Sequence, residues 1–231
     1  MVDPGPALVG HRQALLGAFE EGGSRRVRIV WTHDHPDHTA GTPALIRALD
    51  AAGVEVTTQG RSSRAPRRLG PGDRVGSDAG VLEAVATPGH TRDHLAFHWP
   101  EGDAVFVGDL LLGEGRTAWV GSYPGCVADY LDSLERVRAL GARRLIPAHG
   151  PPLEDPEEAI DRFRAHRLRR IREVGEAVAA DPTASAEELA RTIYGEDLPQ
   201  KLLHGAIWSV HGSLDHLGIR PFPAEGPVGE G

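Results

Sequence analysis

Seven consecutive residues, Thr32-His33-Asp34-His35-Pro36-Asp37-His38, hold three imidazoles and two carboxylates. They stand directly behind an apolar run, Val27 to Trp31, that reads as a buried strand. Buried imidazoles and carboxylates cost stability unless they are paired or coordinated. A short, stiff loop offering neutral nitrogens and anionic oxygens together is what a divalent-metal site needs.

The same context recurs. Thr87-Pro88-Gly89-His90-Thr91 follows the strand pattern of Val81 to Ala86, Gly108-Asp109 follows Ala104 to Val107, and Ala148-His149-Gly150 follows Arg144 to Ile146. Ligand-type residues at the carboxyl ends of neighbouring strands converge in space. The adjoining Gly89, Gly108 and Gly150 allow tight turns and close backbone approach. One histidine after a strand says little; the four segments in order are a strong metal-site signal.

The pattern around these segments alternates helix and strand from about Ala7 to Gly150. Helices are expected over His11 to Glu21, over Thr42 to Ala52 (Thr42 as N-cap, Pro43 in the first turn, Gly53 closing), and over Val127 to Leu140. Strands are expected over Val27 to Trp31, Val54 to Thr58, Val81 to Thr87, Leu95 to Trp99, Ala104 to Val107 and Arg144 to Ile146. Gln59 to Gly80, rich in Gly, Pro, Ser and Arg, reads as a loop or long hairpin.

A second unit opens at Asp155-Pro156. Ile160, Phe163, Ile171, Val174 and Val178 mark one face of a long helix, and Ser185 with Glu188 forms a capping box before a short one. Leu198 to Leu217 is a third helix, and Ile219 to Phe222 is expected as a short strand. The resulting division is a first domain over 1–154 that carries the metal-site segments, a small winged-helix-like domain over 155–223, and a disordered tail over 224–231.

The 231 residues, 40% hydrophobic, suit one large domain with an appendage. A single cysteine makes no intrachain disulfide, and no run is apolar enough for a membrane span or leader-like enough for a signal peptide. A cytoplasmic location without membrane contact is the expectation. The net charge of −8 argues against a generally basic nucleic-acid binder. The arginines nevertheless cluster, at Arg61 to Arg74 and at Arg162 to Arg172. The second cluster reads either as a solvated helix face or as a phosphate track.

The order T-H-x-H-x-D-H, P-G-H-T, G-D, A-H-G resembles the metallo-β-lactamase superfamily over about Asp3 to Gly150. Gly89 to His94, Gly108 to Gly115 and the tail are similar, more narrowly, to the β-lactamase-like protein 2 group, in which a lactamase-type domain precedes a winged helix. The resemblance implies an α/β fold, an αββα sandwich, here missing the strands that members carry ahead of the Asp3-Pro4-Gly5 turn. It implies two Zn(2+), the first held by His33, His35 and His90, the second by Asp37, His38 and His149, with Asp109 bridging. Ligand type alone leaves manganese and iron open.

The implied chemistry is hydrolysis by a metal-bridging hydroxide that Asp37 orients. Asp3 is expected to support the ligand loop. His94 is a candidate for proton relay or substrate contact, and Arg116 and Tyr123, on the loop after Asp109, are substrate candidates. Trp119 and Cys126 read as packing. The implied activity is a metal-dependent hydrolase, foremost an endoribonuclease on single-stranded RNA. The alternative is a thioester or ester hydrolase of glyoxalase II or acyl-carrier thioesterase type. A β-lactamase, an iron-dependent sulfur dioxygenase and a non-catalytic nucleic-acid-binding module rank lower.

Overall fold

A computed structural model describes residues 1–113 and 117–224 of the chain. The elements run α1 (Val9–Glu21), β1 (Arg26–Val30), α2 (Pro36–Thr39), α3 (Thr42–Ala51), β2 (Glu55–Gly60), β3 (Arg67–Arg68), β4 (Arg74–Ser77), β5 (Gly80–Ala86), β6 (Leu95–Trp99), β7 (Ala104–Gly108), α4 (Cys126–Ala139), β8 (Arg144–Pro147), α5 (Pro156–Ala180), α6 (Ala186–Tyr194) and α7 (Gln200–His216). One sheet is parallel, in the order β1-β2-β3. The other, β4-β5-β6-β7-β8, is antiparallel except for the β7–β8 pair.

Period-two alternation sorts side chains into layers. On β1, Val27, Ile29 and the following Trp31 pack outward with Leu45 and Leu49 of α3 and Phe19 of α1. Val30 faces inward with Leu69, Val75, Leu95 and Phe97, filling the gap between the sheets. On β7, Val105 and Val107 pack under Tyr130 and Leu134 of α4 and Ile160 and Phe163 of α5, while Phe106 joins the inter-sheet cluster. The architecture is therefore helix, sheet, sheet, helix.

Val2 bridges Val30 in parallel, so Met1 to Asp3 lie along β1 and deliver Asp3 to its carboxyl end. Helix α5 belongs to two cores. Its first half seals the sandwich, whereas Val174 and Val178 join Leu189, Leu203, Val210 and Leu214 in a cluster with α6 and α7. No helix among the described residues is long and apolar enough to cross a membrane.

Several expectations need correction. Thr42 is the first buried helical residue, not the cap; Gly41 holds that position and no side chain caps the helix. Pro36 starts a four-residue helix inside the histidine cluster, because its fixed φ suits a first turn. The stretch from 59 to 80 contains the edge strands β3 and β4. Ile219 to Phe222 is bend and irregular backbone, not a strand: Gly218 takes φ +67, and the backbone N–H groups of Ile219 and Arg220 turn back to the Leu214 carbonyl at the end of α7 rather than entering a ladder. The described part of the C-terminal unit is thus three helices without a wing strand. Residues 225–231, most of the expected tail, lie outside the described residues.

Candidate metal centre

The ends of β1, β5, β7 and β8 meet at one edge of the sandwich. There His33, His35 and His90 form one convergent group, Asp37, His38 and His149 a second, and His33, His38 and Asp109 a third, with ligand atoms in each within 4.8 Å of one another. His33 Nε2 and His90 Nε2 lie 3.0 and 3.1 Å from His35 Nδ1. Asp109 stands between the first two groups: its Oδ2 is 3.7 Å from His90 Nε2, and its Oδ1 is 3.6 Å from both His38 Nε2 and His149 Nε2.

Neighbouring groups fix which nitrogen of His33, His38 and His90 faces the centre. Asp3 accepts from the Thr32 N–H at 2.8 Å, the Thr32 hydroxyl at 2.7 Å and His38 Nδ1 at 2.9 Å. With its proton given to Asp3, the Thr32 hydroxyl accepts from His33 Nδ1 at 3.0 Å. His90 Nδ1 donates to the Trp119 carbonyl at 2.9 Å. In these three rings Nδ1 donates outward and Nε2 points inward, whereas His35 turns its Nδ1 toward the centre.

Two observations test whether an ion fits. His38 Nε2 and Asp109 Oδ1 are buried and have no hydrogen-bond partner, although both face the cluster. Burial lowers the pKa of His38, yet the carboxylates of Asp109 and Asp3 outweigh it and hold the ring at about 10. Burial would raise Asp109, but His38, His90 and His149 drive its carboxyl far below the usual range. His149, whose Nε2 is 3.2 Å from Asp37 Oδ2, lowers Asp37 and is itself raised. A site that retains a proton this firmly among its carboxylates calls for positive charge, and its five imidazoles and two carboxylates suit divalent cations. Asp37 and His149 form the open side, with side chains 54% and 34% exposed. A cavity of about 420 Å³ adjoins Asp37, His38 and His149.

The seven expected ligands and Asp3 thus come together at one edge. His94 does not reach the open side. It is fully buried, its Nδ1 donates to Thr87 Oγ1 at 2.8 Å, and its Nε2 accepts from the Asp109 N–H at 3.1 Å. Burial and the neighbouring His90 push its pKa down to about 3, so it stays neutral. A relay or substrate role is therefore replaced by a supporting one: His94 holds the turn that carries Asp109. Gly108 makes this possible with φ +51, since a β-carbon there would collide with His94 and Thr32.

Tyr123 also departs from expectation. It is buried, its hydroxyl donates to Asp129 at 2.8 Å, and the Arg92 guanidinium covers its ring. Burial and Asp129 raise its pKa further. It buttresses the loop rather than meeting substrate. Arg116 lies outside the described residues.

Five of the six α5 arginines are engaged, and Arg172 is exposed. Arg162, Arg164, Arg169 and Arg170 face Glu158, Glu135 and Glu173, and Arg167 is buried. Thr32, Thr87, Ser122 (whose hydroxyl donates to the His90 carbonyl at 2.6 Å) and the Trp119 carbonyl were not legible as supports, because threonine, serine and backbone carry no ligand signature.

An αββα sandwich with imidazoles and carboxylates gathered at its strand ends defines a class, the metal-dependent hydrolases of lactamase type. The chain belongs to the metallo-beta-lactamase superfamily, whose sequence model matches residues 1–149. It is 29% identical over 202 residues to a beta-lactamase-like protein 2 homolog from Caenorhabditis elegans, covering 85% of this chain and 67% of that one. It is 27% identical over 207 residues to an atrochrysone carboxyl ACP thioesterase from Aspergillus fumigatus, covering 84% and 64%. The chain thus spans about two thirds of the length of these curated relatives. Its fold matches the crystal structure of a beta-lactamase domain protein from Burkholderia ambifaria with a TM-score of 0.82 at 24% identity, covering 94% of this chain and 76% of that one.

Proposed function

We propose that the protein hydrolyses an acyl thioester or related ester with two zinc ions, one held by His33, His35 and His90 and one by Asp37, His38 and His149, with Asp109 between them. The position of Asp109, reaching His90 with one oxygen and His38 and His149 with the other, carries the two-ion reading. The nitrogen-rich donor set favours zinc over harder cations. When bound, such a pair supplies Lewis-acid polarisation of a carbonyl and acidifies water toward neutrality.

The chain's own residues supply the rest. Asp37, the exposed carboxylate, orients the attacking water on the open side of the centre. Asp3, Thr32 and the Trp119 carbonyl keep the imidazoles aimed, and the buried wall of His33, His38 and Asp109 excludes bulk water.

A carbonyl substrate is supported over RNA by the pairing of four of the six α5 arginines with glutamates and by the net charge of −8. The likeness to a fungal carrier-protein thioesterase points the same way. The test is turnover of an acyl-thioester panel beside labelled single-stranded RNA and a cephalosporin, with and without chelator. Thioester cleavage lost on chelation and in His33→Ala supports the reading. Chelator-sensitive RNA cleavage without thioester cleavage overturns it.

A further inference from the structure

Arg167 is out of place in the interior. It sits in the apolar stripe of α5, four residues from both Phe163 and Ile171, and is 3% exposed. Arg162, Arg164, Arg169 and Arg170 on the same helix face carboxylates; Arg167 makes no ion pair among the described residues. A buried guanidinium without a carboxylate is expensive, and an apolar residue would fill the stripe at lower cost.

Its contacts lead to the metal centre. Nη2 donates to the Ala118 carbonyl and Nη1 to Ser209 Oγ on α7, both at 3.0 Å. Ala118 precedes Trp119, whose carbonyl holds His90 Nδ1. The guanidinium carbon also lies 5.4 Å from the centre of the Tyr130 ring, and the Tyr130 hydroxyl donates to the carbonyl of Leu110, next to Asp109. Helix α7 closes the loop from its other side: a β-carbon at Gly205 would strike the Trp119 ring. His38 of the other group is held by Asp3 at the end of β1, which also reaches His33 through Thr32; neither contact involves the Ala118–Trp119 backbone.

We infer that Arg167 is a positioning residue for the His33–His35–His90 group, holding the Ala118–Trp119 backbone where its carbonyl keeps His90 Nδ1 protonated and Nε2 turned inward. The C-terminal helices are thereby part of the metal site's support. The inference deepens the two-ion reading and rests on it for the metal measurements alone.

The experiment uses the full chain. In a His149→Ala background, which leaves the His90 group intact, zinc affinity is measured by competition with a chromophoric chelator, with and without Arg167→Met. A loss of roughly 10–100-fold is expected, in line with other supporting groups around metal ligands. In a His33→Ala background the same substitution is expected to change nothing. Where the parent binds zinc, equal losses in the two backgrounds, or none in either, overturn the inference.

Nitrogen-15 NMR of the metal-free protein supplies a readout independent of metal. The His90 ring is Nδ1-protonated in the parent and becomes a tautomer mixture in Arg167→Met; an unchanged ring overturns the inference. Should Arg167→Met not fold, Arg167→Lys, which keeps the charge and one donor, is read in its place, with a smaller loss confined to the His149→Ala background. Absence of zinc binding by the parent, together with the expected NMR change, refutes the two-ion reading and leaves the positioning of His90 standing.

Discussion

Gly121 runs so close to Trp208 that a β-carbon at Gly121 would overlap the Trp208 backbone carbonyl. The loop below the metal centre and helix α7 therefore meet backbone to backbone, with no flexible side chain to yield. Gly121→Ala is expected to destabilise the protein by about 1–3 kcal/mol, the usual cost of overpacking. Gly10 and Gly17 on α1 have open space around them, and alanine there is expected to stabilise by about 0.5–1 kcal/mol. Urea unfolding of the three variants checks both signs.

Asp3 accepts three donors and has φ +44, a conformation that asparagine tolerates. Asp3→Asn therefore tests the hydrogen bonds without adding backbone strain. One oxygen cannot serve all three donors, and the new amide opposes at least one of them. Stability is expected to fall by about 1–3 kcal/mol, and metal affinity by roughly 10–100-fold. Unchanged affinity would show that Asp3 does not aim His38.

His94 sets a pH signature in the metal-free protein. Its pKa is about 3 when folded against 6.5 when unfolded. Between these values the unfolded chain binds a proton that the native ring refuses. The stability His94 confers is complete above pH 6.5 and is lost as pH falls toward 3, at up to about 1.4 kcal/mol per pH unit. His94→Gln keeps an acceptor for the Asp109 N–H and is expected to flatten the slope by about one proton. Denaturant titrations from pH 7 to 4 measure it; an unaltered slope would mean the ring is protonated in the fold.

Arg162, Arg164 and Arg169 are exposed and face Glu158, Glu135 and Glu173. Replacing all three with glutamine is expected to leave thioester kcat/KM unchanged and to cost about 0–1 kcal/mol per pair. A tenfold fall in turnover would restore the helix face to the substrate path.

How much the sequence disclosed follows from which signals are local. The Ser185–Glu188 capping box and the Asp155 cap appear as read, because a cap is a contact between near neighbours in the chain. The ligand segments were visible because histidine and aspartate behind strands are rare without cause. Strand β3 has two residues, too few to show an alternation, so it read as loop. The confinement of His94 and Tyr123 depends on Thr87, Asp109 and Asp129 arriving from elsewhere, which no spacing reports. Arg167 did leave a trace, a charge inside the apolar stripe between Phe163 and Ile171, but the arginines around it read as one solvated cluster.

The most direct test of the two-ion centre is a count of metal. Protein loaded with zinc and dialysed against metal-free buffer is assayed by elemental mass spectrometry beside His33→Ala, His149→Ala and Asp109→Ala. Two tightly held ions per chain are expected in the parent, one in each histidine variant, and loss of both in Asp109→Ala. Fewer than one ion in the parent, or the same content in all four proteins, would contradict the account.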